Sequence, residues 1–411
     1  MTERALNELY DYAVTIRRQL HQYPEVGFEL ERTCALVAEE LDKIGLAHTD
    51  RYGTCSLVAE LGPEDCQVER EECHLEREGE PLGPGVRVIA LRADMDALPV
   101  QEKTDVPYCS RIPGCMHACG HDSHTAILLA VAKYLRAHED ELPCRVRLIF
   151  QPSEEGAVSG AKMMVDNGVM DGVDEILCTH CDNAMDASRV GICKGDYMAA
   201  CIPGTICFHG KTSHAALPEY GIDAVAMGIE AYGELKEMVA VEAQVRGSRY
   251  IWCVGHFTGG QVHNVVPDEC QMDISFRFYD MEFAGRVEAR IHEICRRIAK
   301  QHGGSVDMHW NMSTGPVHNN EAITDDFEQA AVAAGMKVQE MPQRMSSEDF
   351  GWYLAKAPGM IFRFGTRNEE LGCTALAHRN DFKIDEAGMK EAIRAFVAYV
   401  MTRQGWKSCK K

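Results

Sequence analysis

Apolar residues recur at helical spacing over residues 6–20, and Pro24 in the run Leu20-His21-Gln22-Tyr23-Pro24-Glu25 ends that helix. A second amphipathic helix is expected over 33–44. The pattern then shortens. Residues 56–61 and 86–91 read as strands, the second nearly all apolar, as a strand covered on both faces would be. A helix at 126–135, a strand at 146–150, a helix at 161–167 and a strand at 175–178 continue the alternation, which predicts an α/β domain built on a mostly parallel sheet.

From about residue 190 the rhythm changes. Strands at 206–209, 251–257 and 271–278 and helices at 222–241 and 282–302 predict an α+β sandwich of the ferredoxin-like kind. Beyond about residue 315 the chain returns to helix, strand and helix. The expected organisation is a catalytic domain in two pieces, 1–189 and 313–411, interrupted by an inserted domain at 190–312. Between the first two strands, residues 62–85 are rich in Glu with Gly and Pro at the ends and read as a solvated hairpin extension. Its Cys66, Cys73 and His74 lack a fourth ligand at a recognisable spacing, which argues against a zinc site there.

Composition narrows the function. With 42 Lys+Arg against 63 Asp+Glu, the net charge of −21 repels phosphate backbones and anionic membranes, so neither nucleic acid nor a membrane surface is an expected partner. The first twelve residues carry Glu3, Arg4 and Glu8 with no apolar stretch, and no run approaches the roughly 18 apolar residues of a spanning helix. The expected location is the cytoplasm, where most of the 18 Cys would be buried thiols.

The densest chemistry is Met116-His117-Ala118-Cys119-Gly120-His121-Asp122-Ser123-His124. Thiolate and imidazole suit a borderline divalent metal, and Gly120 lets the backbone turn so that Cys119 and His121 can face one ion. The competing reading is a helix N-terminus capped by Asp122 with surface histidines. At the end of the strand 146–150 stands Gln151-Pro152-Ser153-Glu154-Glu155-Gly156. Adjacent carboxylates on extended backbone point apart, so one can bind metal while the other acts as a general base. His180 and His378 each follow an apolar run that the sheet aims at the same edge. Asp94 and Asp96, in Arg92-Ala93-Asp94-Met95-Asp96, reach that edge too, as ligands or, preferably, as carboxylates that orient imidazoles. Arg277 interrupts the apolar strand Ile274-Ser275-Phe276-Arg277-Phe278; a guanidinium there suits a substrate carboxylate, though an ordinary strand Arg paired with an Asp fits as well.

These segments, together with Arg17-Arg18-Gln19-Leu20-His21, Gly210-Lys211-Thr212-Ser213-His214, Asn264-Val265-Val266-Pro267-Asp268 and Ser347-Glu348-Asp349-Phe350, resemble the M20 metallopeptidases over nearly the whole chain. The resemblance is to the amidohydrolase branch of hippurate hydrolases, N-acyl-amino-acid amidohydrolases and plant auxin-conjugate hydrolases. It implies hydrolysis of the amide bond of N-acyl amino acids, with two divalent ions per subunit, manganese or zinc, cobalt and nickel being compatible. The implied ligands are Cys119, His121, Glu155, His180 and His378, with the Cys119 sulfur bridging, and Glu154 as base. It further implies that the inserted domain is a lid through which the chain forms a homodimer, that His214 reaches the scissile carbonyl from the neighbouring subunit, and that Asn264 and Arg277 hold the substrate carboxylate. In the wider family an Asp bridges the ions and a His stands at the place of Asp94, and Leu30 occurs where Glu is usual. Two alternatives are a dipeptidase or desuccinylase of the same fold, and a non-catalytic metal- or thiol-buffering protein; the latter has no use for a base beside a ligand.

Overall fold

The computed structural model describes residues 1–63 and 87–403, so Cys66, Cys73 and His74 of the expected acidic extension lie outside the described residues. The chain divides into two compact units, one of Met1–Gly195, Asn319–Pro342 and Trp352–Lys411, the other of Asp196–His318 and Gln343–Gly351. The second unit begins later than residue 190 because Arg189–Ile192 is a strand of the first unit's sheet. It also takes in 343–351, which the sequence pattern had left with the returning segment. Arg344 N–H donates to the Tyr197 carbonyl at 2.7 Å, and Tyr279 donates its hydroxyl to the Arg344 carbonyl at 2.7 Å.

The first unit is an eight-stranded mixed sheet. Its four neighbouring central strands, Arg145–Gln151, Val88–Asp94, Glu175–Asp186 and Gly359–Arg367, run parallel. Val88–Asp94 is buried at every position, and its alternate residues Ile89, Leu91 and Ala93 join a core completed by helices packed on the sheet. Three helices matter for the site: α1 (Glu3–Gln22), α3 (His121–Ala137), and between them in sequence α2 (Glu31–Ile44). Helix α3 is buried nearly all round, because α1 and the C-terminal helix Gly388–Thr402 pack on it while its start abuts the strand ends.

The strand expected at 175–178 continues to Asp186. On one side it pairs with Val88–Asp94 only as far as Cys178, while on the other it stays paired with Gly359–Arg367. His180 therefore lies inside a strand rather than after one, two residues past the last pairing with Val88–Asp94 and opposite Arg363 of the other neighbour.

In the second unit the order strand, helix, strand, strand, helix, strand is carried by Ala200–His209, Ala224–Arg246, Tyr250–Gly259, Glu269–Phe278, Met281–His302 and Ser305–Trp310. All pairings in this four-stranded sheet are antiparallel. Every second residue of Glu269–Phe278, from Cys270 to Phe278, is buried against the helices, forming a core separate from that of the first unit.

Candidate active site

The turns after two strands, the strand Glu175–Asp186, the start of α3 and a later loop assemble the candidate residues of the first unit. Gly120 has φ 86°, and a Cβ there would lie 2.5 Å from the Cys181 Sγ, so this position needs glycine for both conformation and space. It is the residue before α3, leaving Cys119 just outside the helix and His121 as its first residue. Asp122 makes no capping bond; its side chain pairs with Arg17 Nε at 3.1 Å and His21 Nδ1 at 2.8 Å, so the competing reading of a capped surface helix is replaced by a buried ionic cluster.

Asp96 organises the rest. One carboxylate oxygen accepts the Glu154 N–H at 3.0 Å and the other the Glu155 N–H at 3.1 Å, which fixes the turn after the strand Arg145–Gln151. The Asp96 carbonyl lies 2.9 Å from His121 Nδ1. With Nδ1–H donated to that carbonyl, the lone pair of His121 is on Nε2, which is buried without a hydrogen-bond partner among the described residues, 3.8 Å from Glu154 Oε2. His180 is set in the same way: its Nδ1 is 2.8 Å from the Cys181 carbonyl and its Nε2 faces Cys119 Sγ at 3.3 Å. His378, held in the left-handed region at φ 70°, donates its N–H to the Ala118 carbonyl at 2.8 Å and brings Nε2 to 2.9 Å from Glu155 Oε1.

Two donor sets result. The ligand atoms of Cys119, His121 and His180 lie within 4.8 Å of one another, and so do those of Cys119, Glu155 and His378. The Cys119 sulfur belongs to both.

The electrostatics favour a cation. Burial opposes charge on His121, yet Asp94, Asp96 and Glu155 around it raise its pKa to about 10. Burial, then Glu155 and Glu154, push the Cys119 thiol well above its ordinary value. Burial, then Arg363 and His124, hold His180 well below the ordinary imidazole value, so it is neutral with a lone pair to offer. A buried imidazole nitrogen without a partner is costly, and a thiol, three imidazoles and a carboxylate are the donors that zinc, manganese, cobalt or nickel take. The residues fit a divalent metal centre.

His124 is the residue that spacing alone could misassign. It lies one helical turn from His121, but its Nδ1 meets Asp94 Oδ1 at 2.6 Å and its Nε2 accepts the Cys181 N–H at 3.0 Å, so neither nitrogen is left for a metal. Asp94 in turn takes Arg92 Nη1 at 2.7 Å, and Arg92 Nε donates to Gln151, which also accepts from Tyr353. His117 is fully buried with neither ring nitrogen hydrogen-bonded, and burial lowers its pKa to about 3.

Replacing Asp96 by Asn removes one of the two acceptors that set Glu154 and Glu155 and turns an NH2 group toward a backbone N–H. Metal affinity is expected to fall about 10–100-fold, with kcat/KM falling alongside. Chelator competition and steady-state kinetics measure both, and an Asn variant unchanged in each would remove Asp96 from this role.

In the second unit, Ser213–His214 pairs with Val265–Val266, and Ala215 N–H donates to the Asn264 carbonyl at 3.0 Å, so His214 and Asn264 stand side by side. His214 is exposed, and its Nδ1 accepts the Ala216 N–H at 3.1 Å, which leaves Nε2–H as a donor to solvent. Arg277 is near the far end of Glu269–Phe278 and donates to the Met345 carbonyl and Ser347 Oγ at 3.1 and 2.9 Å. Among the described residues no carboxylate pairs with it, which sets aside the ordinary Arg–Asp strand pair.

The model of peptidase family M20/M25/M40 matches residues 90–402. The chain belongs to that family. It is an amide-bond hydrolase of the metallopeptidase kind, with the α/β fold of the family. Thermostable carboxypeptidase 1 of Saccharolobus solfataricus is 32% identical over 94% of this chain and 93% of its own length. N-acetyl-L-cysteine deacetylase of Bacillus subtilis is 33% identical over 94% of this chain and 87% of its own. Among solved structures, the Bacillus subtilis YXEP protein, described as a dinuclear metal binding peptidase from the M20 family, superposes with a TM-score of 0.78 at 27% identity, covering 96% of this chain and 98% of that one. Among the described residues no helix is long and apolar enough to cross a membrane.

Proposed function

We propose that this chain hydrolyses N-acyl amino acids or related small amide conjugates, using two divalent ions held by Cys119, His121, Glu155, His180 and His378. The observation that carries the reading is the single Cys119 sulfur shared by two donor sets, one completed by His121 and His180 and the other by Glu155 and His378. A thiolate has the lone pairs to bridge two ions. The description of the YXEP protein as dinuclear and the deacetylase activity in the name of the other Bacillus subtilis relative support the same reading. Manganese or zinc is the proposed metal.

Ions bound there would polarise the scissile carbonyl and acidify a water. Glu154, beside the donors with its side chain only 11% exposed, takes the proton of that water as it attacks the carbonyl carbon. The same carboxyl then delivers the proton to the nitrogen of the departing amine as the C–N bond breaks. Asp96 holds the two glutamates so that one faces the metal and the other the substrate. His214 offers Nε2–H to the oxyanion, and Asn264 and Arg277 bind the substrate carboxylate, the local cation that a chain of net charge −21 needs for an anionic substrate.

The second unit is proposed as a lid and as the dimer contact. Tyr250–Gly259 is an edge strand, and Ile229, Val241 and Val245 of the adjoining helix are exposed, which together make a pairing surface. A reducing compartment, the cytoplasm, would keep the 18 cysteines as thiols.

The test is a panel of N-acetyl, N-benzoyl and N-indoleacyl amino acids, with free dipeptides alongside, assayed with each divalent ion. Highest kcat/KM on an N-acylated substrate is expected. Preference for dipeptides with a free amino group would overturn the substrate class while leaving the hydrolase assignment intact.

A further inference from the structure

The open face of the second unit's sheet carries chemistry that amide hydrolysis does not use. Cys207 and His209 are two residues apart on Ala200–His209 and so project to one side, whereas Ile206 and Phe208 between and before them are fully buried against the helices. The strand register pairs His209 with Glu269 on one neighbour and Cys207 with Asp307 on the other. One thiol, one imidazole and one carboxylate from two strands thus have their ligand atoms within 4.8 Å of one another. Ligand atoms around a tetrahedral zinc ion are about 3.3–3.8 Å apart, given metal bonds of about 2.0–2.3 Å. Small rotations of surface side chains close that difference.

A fourth residue prepares the imidazole. His209 Nε2 lies 3.0 Å from Asp307 Oδ2. An N–H donated to a carboxylate fixes the tautomer and puts the lone pair on Nδ1, as carboxylates behind metal-bound histidines do. Around Cys207, burial and the carboxylates of Glu269, Asp307 and Asp273 raise the thiol pKa. The same negative charges attract a divalent cation, which would displace the thiol proton on binding.

We propose that Cys207, His209 and Glu269 form a second metal site, for Zn2+ or a divalent ion of similar borderline character, independent of the centre at Cys119. Its position gives it a structural consequence. Cys207 and His209 end the strand that leads through Gly210 to Ser213–His214, and Glu269 opens the strand that follows Val265–Val266. An ion here pins together the two roots of the ladder that carries His214 and Asn264.

The full-length enzyme, with the Cys119 centre loaded, is equilibrated with buffered Zn2+ and its metal content counted beside Cys207→Ser and His209→Ala. Each variant is expected to hold one ion per chain fewer than wild type while still hydrolysing amides. With Co2+, wild type should show additional thiolate-to-cobalt charge-transfer absorption that Cys207→Ser lacks. In wild type alone, Zn2+ should slow iodoacetamide labelling of Cys207 at least about tenfold, read by peptide mass, and this arm requires no variant to fold. Equal metal counts in wild type and Cys207→Ser, or labelling of Cys207 at the same rate with and without Zn2+, would overturn the site.

Discussion

Glu154→Gln is expected to lower kcat about 10²–10⁴-fold, the range that a positioned general base supplies, while the protein keeps its full complement of metal. Glu155→Gln is expected to lose both metal and activity. The contrast follows from where the two side chains sit on adjacent residues. Glu155 Oε1 is 2.9 Å from His378 Nε2 and shares a donor set with Cys119. Glu154 Oε2 stands 3.8 Å from His121 Nε2. Glutamine is isosteric and keeps an acceptor oxygen, so the Asp96 contacts, which use backbone N–H groups, are undisturbed by either change. Metal analysis separates the two roles before any kinetics are done. Near-normal kcat in Glu154→Gln, with metal retained, would remove Glu154 as the base.

Mixing His214→Ala with Glu154→Gln subunits, each nearly inactive alone, is expected to restore activity. In a hybrid dimer one site combines an intact Glu154 with an intact His214 from the neighbouring subunit, so about half the wild-type activity per hybrid dimer is the ceiling. The local structure supports a donor role for His214, because the Ala216 N–H occupies Nδ1 and leaves Nε2–H outward. Hybrid dimers verified by mass that show no recovery would mean that His214 acts within its own subunit or not at all.

Much of the first unit was legible because its central strands are covered on both faces and so carry apolar runs, such as the first four residues of Val88–Asp94. The cluster at 119–121 was legible from the density of donors around one glycine. What was not legible depends on contacts distant in sequence. Residues 179–183, Thr-His-Cys-Asp-Asn, look like a polar loop, yet pairing with Gly359–Arg367 makes them buried strand. Spacing could not show that both nitrogens of His124 are taken, because the partners, Asp94 and Cys181, come from two other strands. Asp122 resembles a helix cap until Arg17 and His21, about a hundred residues earlier, claim its carboxylate. The 343–351 segment is tied to Tyr197 and Tyr279 through the backbone of Arg344, whose N–H donates to the Tyr197 carbonyl and whose carbonyl accepts the Tyr279 hydroxyl, and a backbone group carries no sequence signal.

Three residues in the connections that carry the donors adopt left-handed backbone: Gly120 between Cys119 and His121, Ser153 immediately before Glu154, and His378 itself. Glycine bears this freely, but for Ser153 and His378 the conformation is disfavoured by about 1–2 kcal/mol each. The donors are therefore held in a sprung arrangement that the surrounding body sets in advance, with Ser153 braced by its hydroxyl on the Val158 carbonyl and His378 by its N–H on the Ala118 carbonyl. When the acidic pocket lacks a compensating cation, the stored tension and the mutual repulsion of Asp94, Asp96, Glu154 and Glu155 act on the same two turns. Those turns are the natural first points of local fraying, while the central strands beneath them, buried along nearly all of their length, stay closed.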